Sequence, residues 1–243
     1  ANASKKYPRY KGLFFHKENY EPNIEVLRCH VSESYNVNFL GRLWGYFSFV
    51  FSSLLGAFFK VKGPFDLVLV TSPPLFVGIT GLVVSKLKGI PLVFEVRDLW
   101  PESAIDTGVL TSGFLIKAAY WFEKTMYQNA SMINVLTPAF EKTLIEKKGV
   151  PPGKVIMIPN AADFSLSDHL LNKVDKQAFR KELGWEGKFV IVYVGAHGVA
   201  NHLEQILEAA ALLKDEPVHF ALIGDGMRKN ALKQLATSMQ LNN

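Results

Sequence analysis

The chain of 243 residues is 49% hydrophobic and 20% charged, an ordinary globular composition that excludes collagen-like and intrinsically disordered classes. Cys29 is the only cysteine, so an internal disulfide is excluded and a reducing compartment is expected. The net charge is +5, and residues 1–62 carry all of the excess, with nine Lys and Arg against four Asp and Glu. The first residues lack the apolar stretch of a secretory signal, which predicts a cytoplasmic location.

Apolar runs and helical periodicities predict alternating strands and helices through the first two thirds of the chain. The continuous apolar run 66–71 predicts a buried strand, which Pro73 and Pro74 end. Thr137 and Pro138 suit the N-cap and the first position of a helix. The predicted strands are 24–31, 66–71, 91–96, 131–136 and 154–158, and the predicted helices are 39–60, 75–88, 113–128 and 137–148.

The alternation restarts after a polar segment, residues 161–187, which contains few strand formers and one short helix predicted near 175–183. We therefore predict an α/β fold with two Rossmann-like, doubly wound domains on parallel sheets. Two strands cannot form a parallel sheet covered on both faces, so the second domain is expected to be incomplete. The predicted parts are an N-terminal domain at 1–163, a linker at 164–187 and a partial C-terminal domain at 188–243, with strands 189–194 and 218–223 and helices 201–213 and 227–240.

The stretch from Leu43 to Phe59 is seventeen residues without a charge, and Lys60 and Lys62 follow it. A membrane-spanning helix needs about 20 residues. Three interpretations stay open: a buried crossover helix, an interfacial helix and a membrane span. Because cations are concentrated in the same quarter of the chain, we predict that this side contacts an anionic partner, a membrane surface or a phosphorylated substrate. Nucleic acid is not expected, since no nucleic-acid-binding motif is present.

The residues after the predicted strand 91–96 are the strongest candidates for a site. Arg97, Asp98, Trp100 and Glu102 crowd into a turn that a proline interrupts. Ligands of open α/β sheets bind outside the carboxyl ends of the strands, and paired carboxylates can act as acid and base. The alternative is a structural turn in which Asp98 accepts backbone N–H groups or pairs with Arg97, while Trp100 fills the core.

Glycine-rich turns follow both strands of the second domain, at 195–198 and at 224–226. Small residues before a helix let backbone N–H groups approach a phosphate. The alternative is a tight turn that needs glycine for conformational reasons. Neither turn matches the dinucleotide or P-loop consensus. No D-x-D sequence and no metal-ligand spacing occurs, so no metal is predicted.

Taken together, five segments resemble family 4 glycosyltransferases of the GT-B fold. The segments are Thr71-Ser-Pro-Pro-Leu75, Phe94-Glu-Val-Arg-Asp-Leu-Trp-Pro-Glu-Ser103, Ile158-Pro-Asn-Ala-Ala-Asp163, Val194-Gly195 and Leu222-Ile-Gly-Asp-Gly226. The second segment is similar to the bacterial sugar transferases of O-antigen, capsule and colanic-acid synthesis, including the fucosamine-transferase-like group. The resemblance implies two Rossmann-like domains with the active site in the cleft between them, and a retaining transfer that needs no metal.

The resemblance also implies substrates and roles for individual residues. The first domain is expected to take a lipid-linked saccharide acceptor at the inner face of the membrane. The second domain is expected to take a UDP- or GDP-linked sugar, with no cofactor. The implied catalytic residues are Asp98, Arg97 and Glu102, the acceptor-side residues are Ser72, Pro73 and Trp100, and the donor-binding residues are Asn160, Gly195, His197, Gly198, Gly224, Asp225, Gly226 and Arg228.

Three features depart from the family pattern. The family's opening glycine-rich loop and its acidic E-x7-E motif are not in this sequence, so we expect a fragment of a longer protein. Ala196 and His197 stand where many members have a basic residue, so the contact of that residue with the donor phosphate is not expected here. Two other functions stay open: a nucleotide-sugar 2-epimerase of the same fold, and a non-catalytic subunit that binds a membrane or a nucleotide.

Overall fold

The computed structural model describes residues 10, 12–36, 39–171 and 173–243. The chain divides into two compact units, Ala1–Asn160 and Ala161–Asn243. The segment 164–187, predicted as a linker, lies within the second unit. Four of the nine cations of residues 1–62 are outside the described residues: Lys5, Lys6, Arg9 and Lys11.

The first unit begins with an antiparallel hairpin of β1 (Phe15–Glu21) and β2 (Ile24–Cys29), followed by the long helix α1 (Phe39–Phe59). The sequence did not predict β1, because charged residues interrupt its apolar alternation. Those charges pair across the hairpin instead. The Lys17 ammonium lies 2.6 Å from the Glu25 carboxylate, and the Arg28 guanidinium lies 2.6 Å from Glu18.

A parallel sheet of four strands follows, in the order β3 (Val68–Ser72), β4 (Leu92–Val96), β5 (Met132–Val135) and β6 (Val155–Met157). The connecting helices are α2 (Val77–Lys88), α3 (Glu102–Asp106), α4 (Gly113–Asn129) and α5 (Pro138–Lys142). Right-handed crossovers between strands in sequential order lie on one face of the sheet. The core is on that face and contains Val70, Phe94, Val96, Met126, Ile133, Val135 and Leu144. Leu69 and Met132, on the other face, are 62% and 42% exposed.

Helix α2 packs closely on the sheet because two of its residues are glycines. A Cβ on Gly81 would lie 2.1 Å from Cγ2 of Val70, and one on Gly78 would lie 2.8 Å from the Met126 side chain. Any larger residue at Gly81 would force α2 away from β3, so the close approach requires glycine there.

Helix α5 begins as predicted but does not continue as one α-helix to Lys148. The Thr137 hydroxyl caps it by accepting the Phe140 N–H at 3.2 Å, with Pro138 at the first position. A π-helical turn, Thr143–Lys147, then follows. In that turn the Lys148 N–H donates to the Thr143 carbonyl at 3.1 Å, a bond that spans five residues. The turn is one residue wider than an α-helical turn, which changes where the Lys148 side chain points.

The second unit contains α6 (Ser165–Leu171), α7 (Lys176–Glu182), β7 (Phe189–Val194), α8 (Glu204–Leu212), β8 (Val218–Ile223) and α9 (Lys229–Ser238). Strands β7 and β8 pair in parallel along their whole length and have the predicted bounds. The core of this unit is built around Leu203, Leu207 and Leu232. Both units therefore have the α/β architecture with parallel strands that the sequence predicted.

Candidate functional site

The carboxyl ends of β3 and β4 bring together two residues predicted to be catalytic, Arg97 and Asp98, and two predicted to lie on the acceptor side, Ser72 and Pro73. Ser72 lies opposite Val96 in the parallel register, and the Arg97 N–H donates to the Ser72 carbonyl at 3.0 Å. Ser72 is buried, Arg97 and Pro73 are exposed, and Asp98 is half-buried. The predicted catalytic pair and the predicted acceptor-side pair are thus neighbours at one edge of the sheet.

The side chains of Arg97 and Asp98 are not used by the fold. Within the described part of the chain, they form no ion pair with each other, and no group donates a hydrogen bond to the Asp98 carboxylate. The Trp100 N–H donates to the Asp98 backbone carbonyl at 3.1 Å, not to its side chain. The interpretation of Asp98 as a structural cap is therefore wrong, and both charged groups are available to a ligand.

Trp100 fills the core, as the structural interpretation predicted. Its half-buried ring packs against two hydrophobic clusters of the first unit. The ring also meets Phe76 edge to face, with centroids 5.8 Å apart. This packing fixes the turn that carries Asp98, whereas direct contact of Trp100 with an acceptor stays a prediction.

Glu102, the third predicted catalytic residue, belongs to a cluster of charges that the sequence did not predict. Its carboxylate forms an ion pair with Lys148, which also donates to both Glu123 oxygens at 2.8 and 2.9 Å. The Tyr127 hydroxyl donates to Glu123 at 2.9 Å. Lys148 lies 46 residues from Glu102 along the chain. In the sequence, this cluster is indicated only by Glu123, a carboxylate that lies beside the apolar stripe of the predicted amphipathic helix 113–128.

The pKa values of the cluster reflect both burial and the one ammonium that its two carboxylates share. Burial raises the pKa of Glu123, although the hydrogen bonds from Lys148 and Tyr127 oppose this shift. Burial alone would lower the pKa of Lys148, but its bonds to Glu102 and Glu123 outweigh that effect and raise it. Burial, reinforced by the Glu123 charge, raises the pKa of Tyr127 far above its ordinary value. Lys148 is therefore a firmly charged ammonium at neutral pH, and Tyr127 is a neutral donor.

In the second unit, the glycine-rich turns after β7 and β8 pack against each other. The His197 N–H donates to the Asp225 carbonyl at 2.9 Å, and the Arg228 N–H donates to the His197 carbonyl at 2.9 Å. The glycines permit this approach, since a Cβ on Gly224 would lie 1.8 Å from the Gly195 carbonyl oxygen. A Cβ on Gly226 would lie 2.5 Å from the His197 carbonyl oxygen. The predicted donor-binding residues of the two turns are thus brought together.

The polar side chains of these turns lie in different environments. His197 is 4% exposed, and neither of its ring nitrogens has a partner among the described residues, so a ligand reaches it only after neighbouring groups move. The Asp225 side chain is 90% exposed and accepts the Gly226 N–H at 2.8 Å. Arg228 donates through Nε to Glu204 at 3.0 Å and would have to leave that carboxylate to bind a phosphate. Asn160 is exposed at the last position of the first unit.

Helix α1 has one buried face and one exposed aromatic face. Val50, Ser52 and Gly56 are buried, and the Ser52 hydroxyl donates to the His30 carbonyl at 2.7 Å. The exposed face carries the aromatic stripe, which consists of Trp44, Phe47, Phe51 and Phe58 at helical spacing. Trp44 and Phe51 are 62% and 60% exposed. A search of the helices in the described residues finds none with the length and apolar character needed to span a bilayer.

Comparison with known proteins agrees with the resemblance seen in the sequence. WcaI of Escherichia coli (strain K12), named as a colanic acid biosynthesis glycosyl transferase, is 28% identical over 222 residues, which are 90% of this chain and 54% of that protein. The glycosyltransferase WbjE of Pseudomonas aeruginosa is 28% identical over 181 residues, which are 72% of this chain and 43% of that protein. The chain spans about half the length of these relatives.

Two solved structures have the same fold. Anabaena HepE, crystallised with UDP and glucose, matches with a TM-score of 0.56 at 18% identity over 86% of this chain and 52% of its own. Sucrose-phosphate synthase from Thermosynechococcus elongatus matches with a TM-score of 0.65 at 15% identity over 93% of this chain and 55% of its own. The GT-B fold predicted from the sequence is therefore confirmed. A family model described as a glycosyl transferase 4-like domain matches residues 13–161, and the chain belongs to that family.

Proposed function

We propose that the protein transfers a sugar, with retention of configuration, from a nucleotide sugar to a lipid-linked saccharide in the synthesis of bacterial surface polysaccharide. The observation that carries the proposal is the Arg97–Asp98 pair at the carboxyl ends of β3 and β4, whose side chains have no partner among the described residues. The names of WcaI and WbjE, which refer to colanic acid biosynthesis and glycosyl transfer, support a saccharide substrate.

The proposed reaction breaks the bond between the sugar C1 and the diphosphate while an acceptor hydroxyl oxygen forms a bond to C1 on the face from which the diphosphate departs, so that the configuration is retained. We assign Asp98 to orient that hydroxyl and to accept its proton, because its carboxylate is half-buried and has no partner among the described residues. We assign the exposed Arg97 guanidinium to bind a phosphate oxygen of a substrate. The buried Ser72 fixes the position of this pair through its bond to the Arg97 backbone.

The two glycine-rich turns of the second unit are the proposed donor site. Backbone N–H groups at such turns bind phosphate oxygens without a metal, so the nucleotide sugar is a substrate and no cofactor is needed. HepE was solved with UDP and glucose, which supports a uridine nucleotide as the first candidate. A guanosine nucleotide is the second candidate.

A titration of the full-length natural protein tests this function. We would measure the binding of UDP-, GDP- and TDP-sugars by calorimetry and then supply the tightest donor with lipid-linked acceptors. Saturable binding followed by sugar attached to the acceptor is the expected result. Conversion of the free nucleotide sugar without any acceptor would identify a 2-epimerase. No binding to any sugar nucleotide would leave the non-catalytic subunit as the better account.

We also propose that α1 brings the enzyme to the inner face of an anionic membrane as a peripheral protein. The aromatic stripe of α1 is exposed, and Lys60 and Lys62 are exposed directly after the helix. Aromatic side chains beside lysines are the composition of helices that lie in the membrane interface. An anionic lipid surface complements these cations, whereas a neutral apolar partner would leave them unpaired.

Loss of the aromatic stripe is expected to weaken vesicle binding. The double variant Trp44→Ser/Phe51→Ser should bind phosphatidylglycerol vesicles at least roughly tenfold more weakly, since each buried aromatic contributes about 1.5–3 kcal/mol. Trp121→Ser is the matched control, because Trp121 is an exposed tryptophan on α4. Vesicle co-sedimentation measures both. Equal binding of the wild type and the double variant to phosphatidylglycerol vesicles would contradict the proposal that α1 binds the membrane. Equal binding of the wild type to phosphatidylcholine and phosphatidylglycerol vesicles would contradict the proposed role of the lysines.

A further inference from the structure

The turn that carries Asp98 is held at both ends. At its start, the Arg97 N–H is bound to the Ser72 carbonyl at 3.0 Å, which attaches it to the sheet. At its end, the turn enters α3, where the Ser103 N–H donates to the Leu99 carbonyl at 2.9 Å. Glu102 is the first residue of α3, only four positions after Asp98. An interaction that holds Glu102 in place therefore also holds the Asp98 backbone in place.

Lys148, which follows the π-helical turn, provides that interaction as an ion pair with Glu102. Its side chain is 12% exposed and donates to Glu102 on α3 and to Glu123 on α4, whose side chain is 3% exposed. Its ammonium also lies 5.1 Å from the centre of the Tyr120 ring. The π-helical turn before Lys148 directs the side chain towards α3 and α4. One cation thus links the start of α3, the interior of α4 and the end of the π-helical turn.

We propose that Lys148 is a positioning residue for the reaction and acts through Glu102 to hold Asp98 against the acceptor hydroxyl. In this arrangement, Glu102 positions the turn and does not touch substrate. The inference rests on the proposed function. Two carboxylates share the one ammonium, and Oε2 of Glu102 is buried without a partner in the described residues. Loss of Lys148 would leave the Glu102 and Glu123 carboxylates without their shared cation, and their mutual repulsion would displace Glu102 and release α3.

Lys148→Met in the full-length protein tests the proposal, with Lys154→Met as its matched control. Lys148 and Lys154 both line a groove of about 530 Å³. Lys154 donates to the backbone carbonyls of Tyr127 and Gln128 at 2.9 and 2.8 Å, and in the described part of the chain it forms no hydrogen bond with α3. Lys148→Met should lower kcat at least tenfold, because displacement of a reacting group by about 1 Å can cost roughly 100-fold. The donor Kd, which depends on the second unit, should be unchanged. Lys154→Met should keep wild-type kcat, and Lys148→Arg should restore most of it.

Glu102→Gln keeps the shape of the side chain but removes its charge, so it tests the positioning role if Lys148→Met does not fold. A reduced kcat with an unchanged KM for the donor is expected for it as well. Hydrogen exchange of the amides of residues 99–107 gives a readout that does not depend on transfer, and it should be faster in Lys148→Met than in Lys154→Met. Wild-type kcat in both Lys148→Met and Glu102→Gln would overturn the positioning role. Absence of donor binding and transfer in the wild type would instead overturn the proposed function.

Discussion

Replacement of Gly224 by alanine is expected to destabilise the second unit and to remove nucleotide-sugar binding. The new Cβ would lie 1.8 Å from the Gly195 carbonyl oxygen and 3.2 Å from Cδ2 of His197. Because the first of these atoms is backbone, the two turns must separate. Their hydrogen bonds, His197 N–H to Asp225 and Arg228 N–H to His197, would then be strained. Overpacking of this kind costs about 1–3 kcal/mol.

Gly198→Ala is the matched control, because a Cβ there would meet only Oδ1 of Asn201 at 3.4 Å. Calorimetric unfolding and nucleotide-sugar titration would be run on both variants. Gly224→Ala should unfold at a lower temperature and bind the donor at least tenfold more weakly, while Gly198→Ala, which tests overpacking alone, should unfold at the wild-type temperature. Normal stability together with normal affinity in Gly224→Ala would show that the turns do not need this contact.

Asp98→Asn is expected to abolish transfer and to leave donor binding intact. The amide has the shape of the carboxylate but cannot accept a proton, and loss of a general base costs about 10²–10⁴-fold in rate. The fold should tolerate the change, since the carboxylate has no hydrogen-bond or ion-pair partner in the described residues. The measurement is kcat for transfer to the acceptor, alongside the calorimetric Kd of the donor.

Asp106→Asn is the control for this substitution, because Asp106 is an exposed carboxylate at the other end of α3. It should leave both kcat and Kd unchanged. Transfer by Asp98→Asn at the wild-type rate would exclude Asp98 as the base. A weaker donor Kd in Asp98→Asn would place this residue in donor binding and contradict the division of roles between the two units.

The parallel strands and most of the helices could be predicted from the sequence because their signals are local. Residues 189–194 and 218–223 are uninterrupted apolar runs of strand length, and the structure gives them the same bounds. Thr137 and Pro138 carry the signal of a helix start within two residues. The segment after β4 could be predicted as a candidate site because its charges follow a buried strand.

Other features depend on contacts that the sequence does not display. β1 is polar and is stabilised by pairing with β2, so its sequence has no apolar alternation. α3 has five residues and follows a proline, which is too short for a helical period to be visible. The π-helical turn at Thr143–Lys147 replaces part of a predicted α-helix.

The roles of the charged residues were decided by the tertiary structure. In the sequence, Arg97, Asp98 and Glu102 are one group of charges that could all act on a ligand. The fold leaves Arg97 and Asp98 without partners and joins Glu102 to Lys148, because the crossover through β5 and the π-helical turn brings that ammonium to α3. The composition and spacing of residues thus determined the fold family and indicated a candidate site. Long-range packing alone determined which charges are available there, since the desolvation of a charge depends on every element that surrounds it.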